Sequence, residues 1–145
     1  MRVGRNVFIR SLLHVALLGR RAAAAAWYGH AALAASDVLD LPDMEFMTEQ
    51  FEQLAARSLE RIASDPVRGF WIQLDVDLLN PAIMPAVDSP EPGGPLPEEL
   101  ARLLIPLARH PRALGMSLTV YDPALDPDRR CARQLIDLLE HVVGG

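Results

Sequence analysis

The sequence predicts an α/β domain built on a mostly parallel sheet, and three observations carry that reading. Helical and extended patterns alternate along the chain, an order that calls for crossover connections between parallel strands. The stretch FWIQLDVDLL at residues 70–79 is almost continuously apolar where it begins, as a strand covered on both faces would be. A chain of 145 residues with 50% apolar and 23% charged side chains can bury one core, and no linker or repeat marks a second domain.

Residues 7–18 are too short and apolar for periodicity to separate strand from helix. The alanine-rich residues 21–35 favour a helix on propensity, and SDVLDL at 36–41 reads as a short strand. Pro42 then suits a first helical turn, with Met44, Met47, Phe51, Leu54, Leu59 and Ile62 at helical spacing until Asp65-Pro66. Gly69 precedes the apolar strand, and a loop rich in proline and glycine fills residues 80–95. Pro97-Glu98-Glu99 opens a helix to about Arg109, which Pro106 should kink or shorten. GMSLTVY at 115–121 reads as the next strand, and residues 131–143 as a closing helix with Leu135, Leu138, Leu139 and Val142 on one side. The total is about four strands.

The formal charge of −5 argues against a nucleic-acid partner, because such domains present a basic field. All fourteen basic residues are arginine, scattered apart from the pairs Arg20-Arg21 and Arg129-Arg130. The single Cys131 excludes an internal disulfide framework and fits a reducing, cytoplasmic setting; within a helix it reads as a packing thiol. The N-terminus has the outline of a secretory signal, but Arg10 and His14 interrupt its apolar run, which is also too short to span a bilayer. Residues 1–16 therefore have no assigned role, and no membrane partner is expected.

The chemistry concentrates at Asp75 and Asp77. On a strand, residues two apart share a face about 7 Å apart, with Gln73 and Trp71 behind them. Both lie at the carboxyl end, where open α/β sheets place ligands. Two desolvated carboxylates this close repel unless a cation joins them, so a hard divalent metal is the natural partner. The plainer alternative is a pair that ends the strand at solvent, with Asp77 capping a turn.

The passage LDVDLLNPAIMPAVDSPEPGG at residues 74–94 resembles the second metal motif of the arginase, agmatinase and formimidoylglutamase family of ureohydrolases. GMSLTVYDPALDP resembles that family's last strand and following loop, and LLGRRAAAAAWYG more weakly the segment after its Gly-x-Arg turn. The resemblance covers roughly residue 17 to the C-terminus. It implies a three-layer arginase-like fold, here incomplete, and a pair of manganese ions serving hydrolysis of guanidino or formimino C–N bonds. Asp75 and Asp77 would supply their share of the metal ligands, and the Pro-Gly-Gly loop would shape the rim.

Departures from the pattern qualify that implication. The family's remaining ligands, a histidine and an Asp-x-His-x-Asp motif, have no counterpart here, and His14, His30, His110 and His141 are isolated. Asn80 stands where the family usually has aspartate. Val120 falls where arginases carry a glutamate for the guanidinium group, which disfavours an arginase-like substrate. The expectation is therefore a truncated or degenerate member with weak or absent activity alone, or a non-catalytic module that joins a complete homologous subunit or itself through an exposed sheet edge.

Overall fold

The computed structural model describes residues 14–21, 30–47 and 49–144. Strands and helices alternate as β1 (Ala16–Leu18), α1 (His30–Ala34), β2 (Leu39–Leu41), α2 (Phe51–Ile62), β3 (Phe70–Asp75), α3 (Pro97–Ala108), β4 (Ala113–Thr119) and α4 (Arg130–Val143). The four expected strands are present and every pairing is parallel, but among the described residues they form two separate sheets. β1 pairs with β2, and β3 with β4. Residues 7–13 and most of the alanine-rich stretch lie outside the described residues, as does the signal-like run except for residues 14–21.

Two expectations need correction. The helix read from Pro42 to Ile62 is broken into a 3-10 turn at Asp43–Met47 and α2, with Gln50 extended between them. The spacing hid a fold-back: Phe46 packs on Phe51 with ring centroids 5.3 Å apart, and Arg57 pairs with both Glu45 and Glu49. The strand β3, read as covered on both sides, alternates buried and exposed residues along its length. Phe70, Ile72 and Leu74 enter the core, whereas Trp71 remains 61% exposed. The same alternation places Trp71, Gln73 and Asp75 together on the open face.

The core gathers one stripe from each long helix: Phe51, Leu54, Ala55 and Ser58 of α2, Leu100, Leu103, Leu104 and Leu107 of α3, and Cys131, Leu135, Leu138 and Val142 of α4. These spacings of three and four are what a one-sided helix requires. The buried Ser58 hydroxyl donates to Leu54 O at 2.8 Å, which satisfies it within its own helix. Pro97 opens α3, where the Glu99 carboxylate accepts the Leu96 N–H at 2.8 Å. The helix continues past Pro106 to Ala108, so the proline neither stops nor visibly shortens it.

Both ends of α4 are tied down by side chains outside the helix. Arg109 donates to Val142 O, His141 O and Gly144 O at 3.0, 2.9 and 2.9 Å, covering last-turn carbonyls that no helical N–H reaches. Arg109→Ala should lower stability by about 1–2 kcal/mol, with faster amide exchange confined to the last turn of α4 as its signature.

At the other end, Asp126 is buried and accepts from the backbone N–H groups of Cys131 and Ala132, at 3.1 and 2.8 Å, and from the Tyr121 hydroxyl at 2.9 Å. Burial alone would raise this carboxyl, but the hydrogen bonds outweigh it and hold the group down at about 2. A carboxylate lowered on folding adds stability above the ordinary value near ~4, and that contribution is lost as pH falls toward about 2. Urea unfolding between pH 5 and 2.5 should therefore show a steeper acid loss in the wild type than in Asp126→Asn. Burial raises the Cys131 thiol, with Asp126 adding to it, so this sulfur is a packing group, as its position in α4 suggested.

Candidate functional site

β3 ends earlier than the strand pattern of residues 70–79 indicated. Asp75 is its last residue, still extended, and Val76–Leu78 turn into a 3-10 helix that carries Asp77. The two carboxylates therefore do not share a continuous strand face; the turn brings Asp77 back so that both line the same cleft, of about 610 Å³. The Asp75 Oδ1 accepts from Gln73 Nε2 at 3.3 Å and from the Thr119 hydroxyl, Thr119 being its register partner on β4. Burial raises the Asp77 carboxyl, the negative charge of Asp75 raises it further, Arg21 pulls it down and Asp88 pushes it up again.

The loop after β3 is built around Asn80. Its N–H bonds Pro95 O at 3.1 Å, its side-chain oxygen accepts from Ala82 N at 2.9 Å, and its carbonyl accepts from Ile83 and Met84. Asparagine thus performs the turn cap that an aspartate would, without the charge. Met84, Ala86 and Val87 then anchor the loop in the core. Gly93 and Gly94 follow with φ of 90° and 93°, in the region that favours glycine.

The residue that organises this rim is Arg21, which sequence reasoning passed over as half of a scattered basic pair. Its Nη2 donates to Asp77 O, Leu78 O and Gly93 O at 3.3, 3.2 and 3.5 Å, and its Nη1 lies 3.8 Å from Asp43 Oδ2. Gly19, with φ of 72°, turns the chain so that Arg21 can reach; a Cβ there would lie 2.3 Å from Leu78 Cδ1. Arg20 is occupied elsewhere, on Asp40 at 2.7 Å. The signal was the Gly-x-Arg spacing rather than the charge count.

Two carboxylates and a turn are hard oxygen donors of the kind manganese takes, yet they do not fit a two-ion centre. Among the described residues no three His, Cys, Asp or Glu side chains come together in a metal-holding group. His14 sits beside Arg61 O and Ser64, and His110 accepts the Arg112 N–H and packs on Phe70; these and His141 are outside the cleft lining. The side chain of His30 is not among those described. Val120 follows β4 with φ of 75°, an uncommon state for a β-branched residue, and offers no acceptor for a cation.

A model of the arginase family matches residues 8–144. The arginase of Brucella melitensis biotype 1 is 31% identical over 103 residues, which are 70% of this chain and 33% of that protein. The chain thus spans about a third of the length of the curated relatives it matches. Among solved structures, arginase from Bacillus caldovelox superposes with a TM-score of 0.80 at 19% identity, over 93% of this chain and 44% of its own. Trypanosoma cruzi formiminoglutamase with Mn2+ gives 0.75 at 16% identity, over 92% and 44%. These likenesses show the fold, an arginase-like α/β arrangement of which this chain presents part. Among the described residues, no helix is long and apolar enough to cross a membrane.

Proposed function

The chain belongs to the arginase family, and from that membership we propose that it carries one share of a manganese-dependent amidine hydrolase site, with weak or absent activity by itself. The observation that carries this reading is the juxtaposition of Asp75 and Asp77 at one end of a cleft, at the carboxyl edge of a parallel sheet, where α/β folds bind ligands. Burial, with repulsion from Asp75 and Asp88 added, keeps the Asp77 carboxyl raised; a divalent cation shared by the pair would favour its charged form. The metal would serve hydrolysis of a guanidino or formimino C–N bond, and Val120 in place of an acceptor favours a substrate other than arginine. A cytoplasmic setting suits the free, buried Cys131.

Calorimetric titration with Mn2+ tests the share directly. Weak binding is expected in the wild type, with about tenfold or greater loss in Asp75→Asn/Asp77→Asn, and release of urea, ammonia or formamide from a panel of guanidino and formimino compounds close to background. Mn2+ affinity indifferent to the double substitution overturns the assignment. A second reading, a non-catalytic module joining a homologous subunit or a second copy, is supported by the exposed apolar side chains of Val15, Leu17, Trp71 and Leu114.

A further inference from the structure

The turn between α3 and β4, residues 109–112, ties distant parts of the fold together through two arginines. Arg109 donates to Val142 O, His141 O and Gly144 O at the end of α4. Arg112 reaches the segment between α2 and β3, where its Nη1 donates to Ala63 O and Val67 O and its Nη2 pairs with Asp65 at 3.0 Å. The Arg112 carbonyl accepts the Phe70 N–H at 2.9 Å, at the start of β3.

His110 stands between the two arginines, half-buried, and closes the turn with two acceptors. Its carbonyl accepts the Ala113 N–H at 2.8 Å, and its ring Nδ1 accepts the Arg112 N–H at 3.1 Å. The second bond runs from a side chain to the N–H two residues on, the geometry that aspartate and asparagine use in turns. Because the donor is a backbone amide, Nδ1 must present its lone pair, which leaves the ring hydrogen on Nε2. Phe70 packs on the ring with centroids 5.7 Å apart. The charged groups around it are Arg109 and Arg112 of its own turn and Asp65, which Arg112 engages. The last turn of α4, held through Arg109, carries Glu140 and His141, whereas the adjoining residues of α3, β3 and β4 bring no ionisable side chain.

We propose that His110 is a pH-sensitive latch: when its imidazole takes a second proton, the bond to the Arg112 N–H is lost, and the turn loosens together with the segments its arginines hold. A doubly protonated ring has two donors and no acceptor. The Arg112 amide then faces another N–H, and a positive charge enters between two guanidinium groups. Imidazoles change charge between about pH 5 and 8, above the acid window of Asp126, so the two effects are separate. The latch sits at the amino end of β3, opposite the end that bears Asp75, and it needs neither metal nor substrate.

The test is amide hydrogen exchange on the full chain at about pH 7.5 and 5.5, each rate divided by that of an unstructured peptide at the same pH. In the wild type, protection of the Arg112 amide should fall about fivefold or more at the lower pH, the size of one hydrogen bond, with smaller losses in residues 63–67 and 142–144. In His110→Asn the side-chain oxygen accepts the same N–H without titrating, so protection should be retained at both pH values, whereas His110→Ala should be poorly protected at both. His141 is present in every variant, so its own charge change cancels in the comparison. Wild-type protection at Arg112 that does not change with pH, or a fall in His110→Asn as large as in the wild type, overturns the proposal.

Discussion

Gly94→Ala should lower the stability of the chain by about 3 kcal/mol, a fall in melting temperature of roughly 10 °C at this size. The backbone there has φ of 93°, and an added Cβ would lie 2.2 Å from Leu78 O and 3.0 Å from Leu79 C. Both obstacles are main chain at the turn that carries Asp77, so relief requires moving the site itself and breaking the Arg21 bond to Leu78 O. Gly93 provides the internal control. Its φ is 90°, but a Cβ there meets only Arg21 Nη1 at 3.7 Å, so Gly93→Ala should cost about 1–2 kcal/mol, from conformation alone. Urea unfolding of the two variants separates these contributions, and equal losses would show that the close approach at Gly94 is not made.

Leu54→Ala should cost a similar amount, about 3 kcal/mol within a range of roughly 2–5. Leu54 is fully buried on α2, the helix that packs against α3 and also touches β1 and β2. Deleting its branch leaves a void where α2 meets α3 and the β1–β2 sheet, and packed neighbours limit collapse. Leu114→Ala, at a side chain 71% exposed, should fall within about 0.5 kcal/mol of the wild type. An unchanged denaturant slope in both variants would show that the fold is retained. A Leu54→Ala loss below about 1 kcal/mol would mean that the packing described around α2 is wrong.

The elements with strong internal patterns were legible in the sequence. Those of α3 and α4 were placed to within a residue or two because Pro97 and the leucine spacing encode both the start and the buried face. The loop rich in proline and glycine after β3 was also readable from composition, whereas the local rule that put Asp75 and Asp77 on one strand face failed at the turn carrying Asp77. What the spacing could not reveal is tertiary. The break before α2 arises because Phe46 packs on Phe51 and Arg57 binds two glutamates, contacts that helical periodicity tolerates equally well in a straight helix. The end of β3 at Asp75 was missed because VDL continues an apolar run while its backbone bends. The division into two sheets has no local signature at all, since it depends on which strand edges find partners. Arg21 was overlooked because its acceptors are backbone carbonyls far along the chain, and only the Gly-x-Arg spacing pointed to it.

Those acceptors lie 56, 57 and 72 residues along the chain from Arg21, which makes the clamp a matter of folding order as well as geometry. β3 and β4 pair across 43–44 residues, fewer than the clamp spans, so on loop closure their contacts can form before it. The guanidinium arrives only when the segment around β1 docks. During the interval the turn bearing Asp77 and the Gly93-Gly94 bend have no tie between them, and the acidic end of the cleft acquires its shape as one of the last events. Substitutions at Arg21 should accordingly speed unfolding and leave the folding rate nearly unchanged.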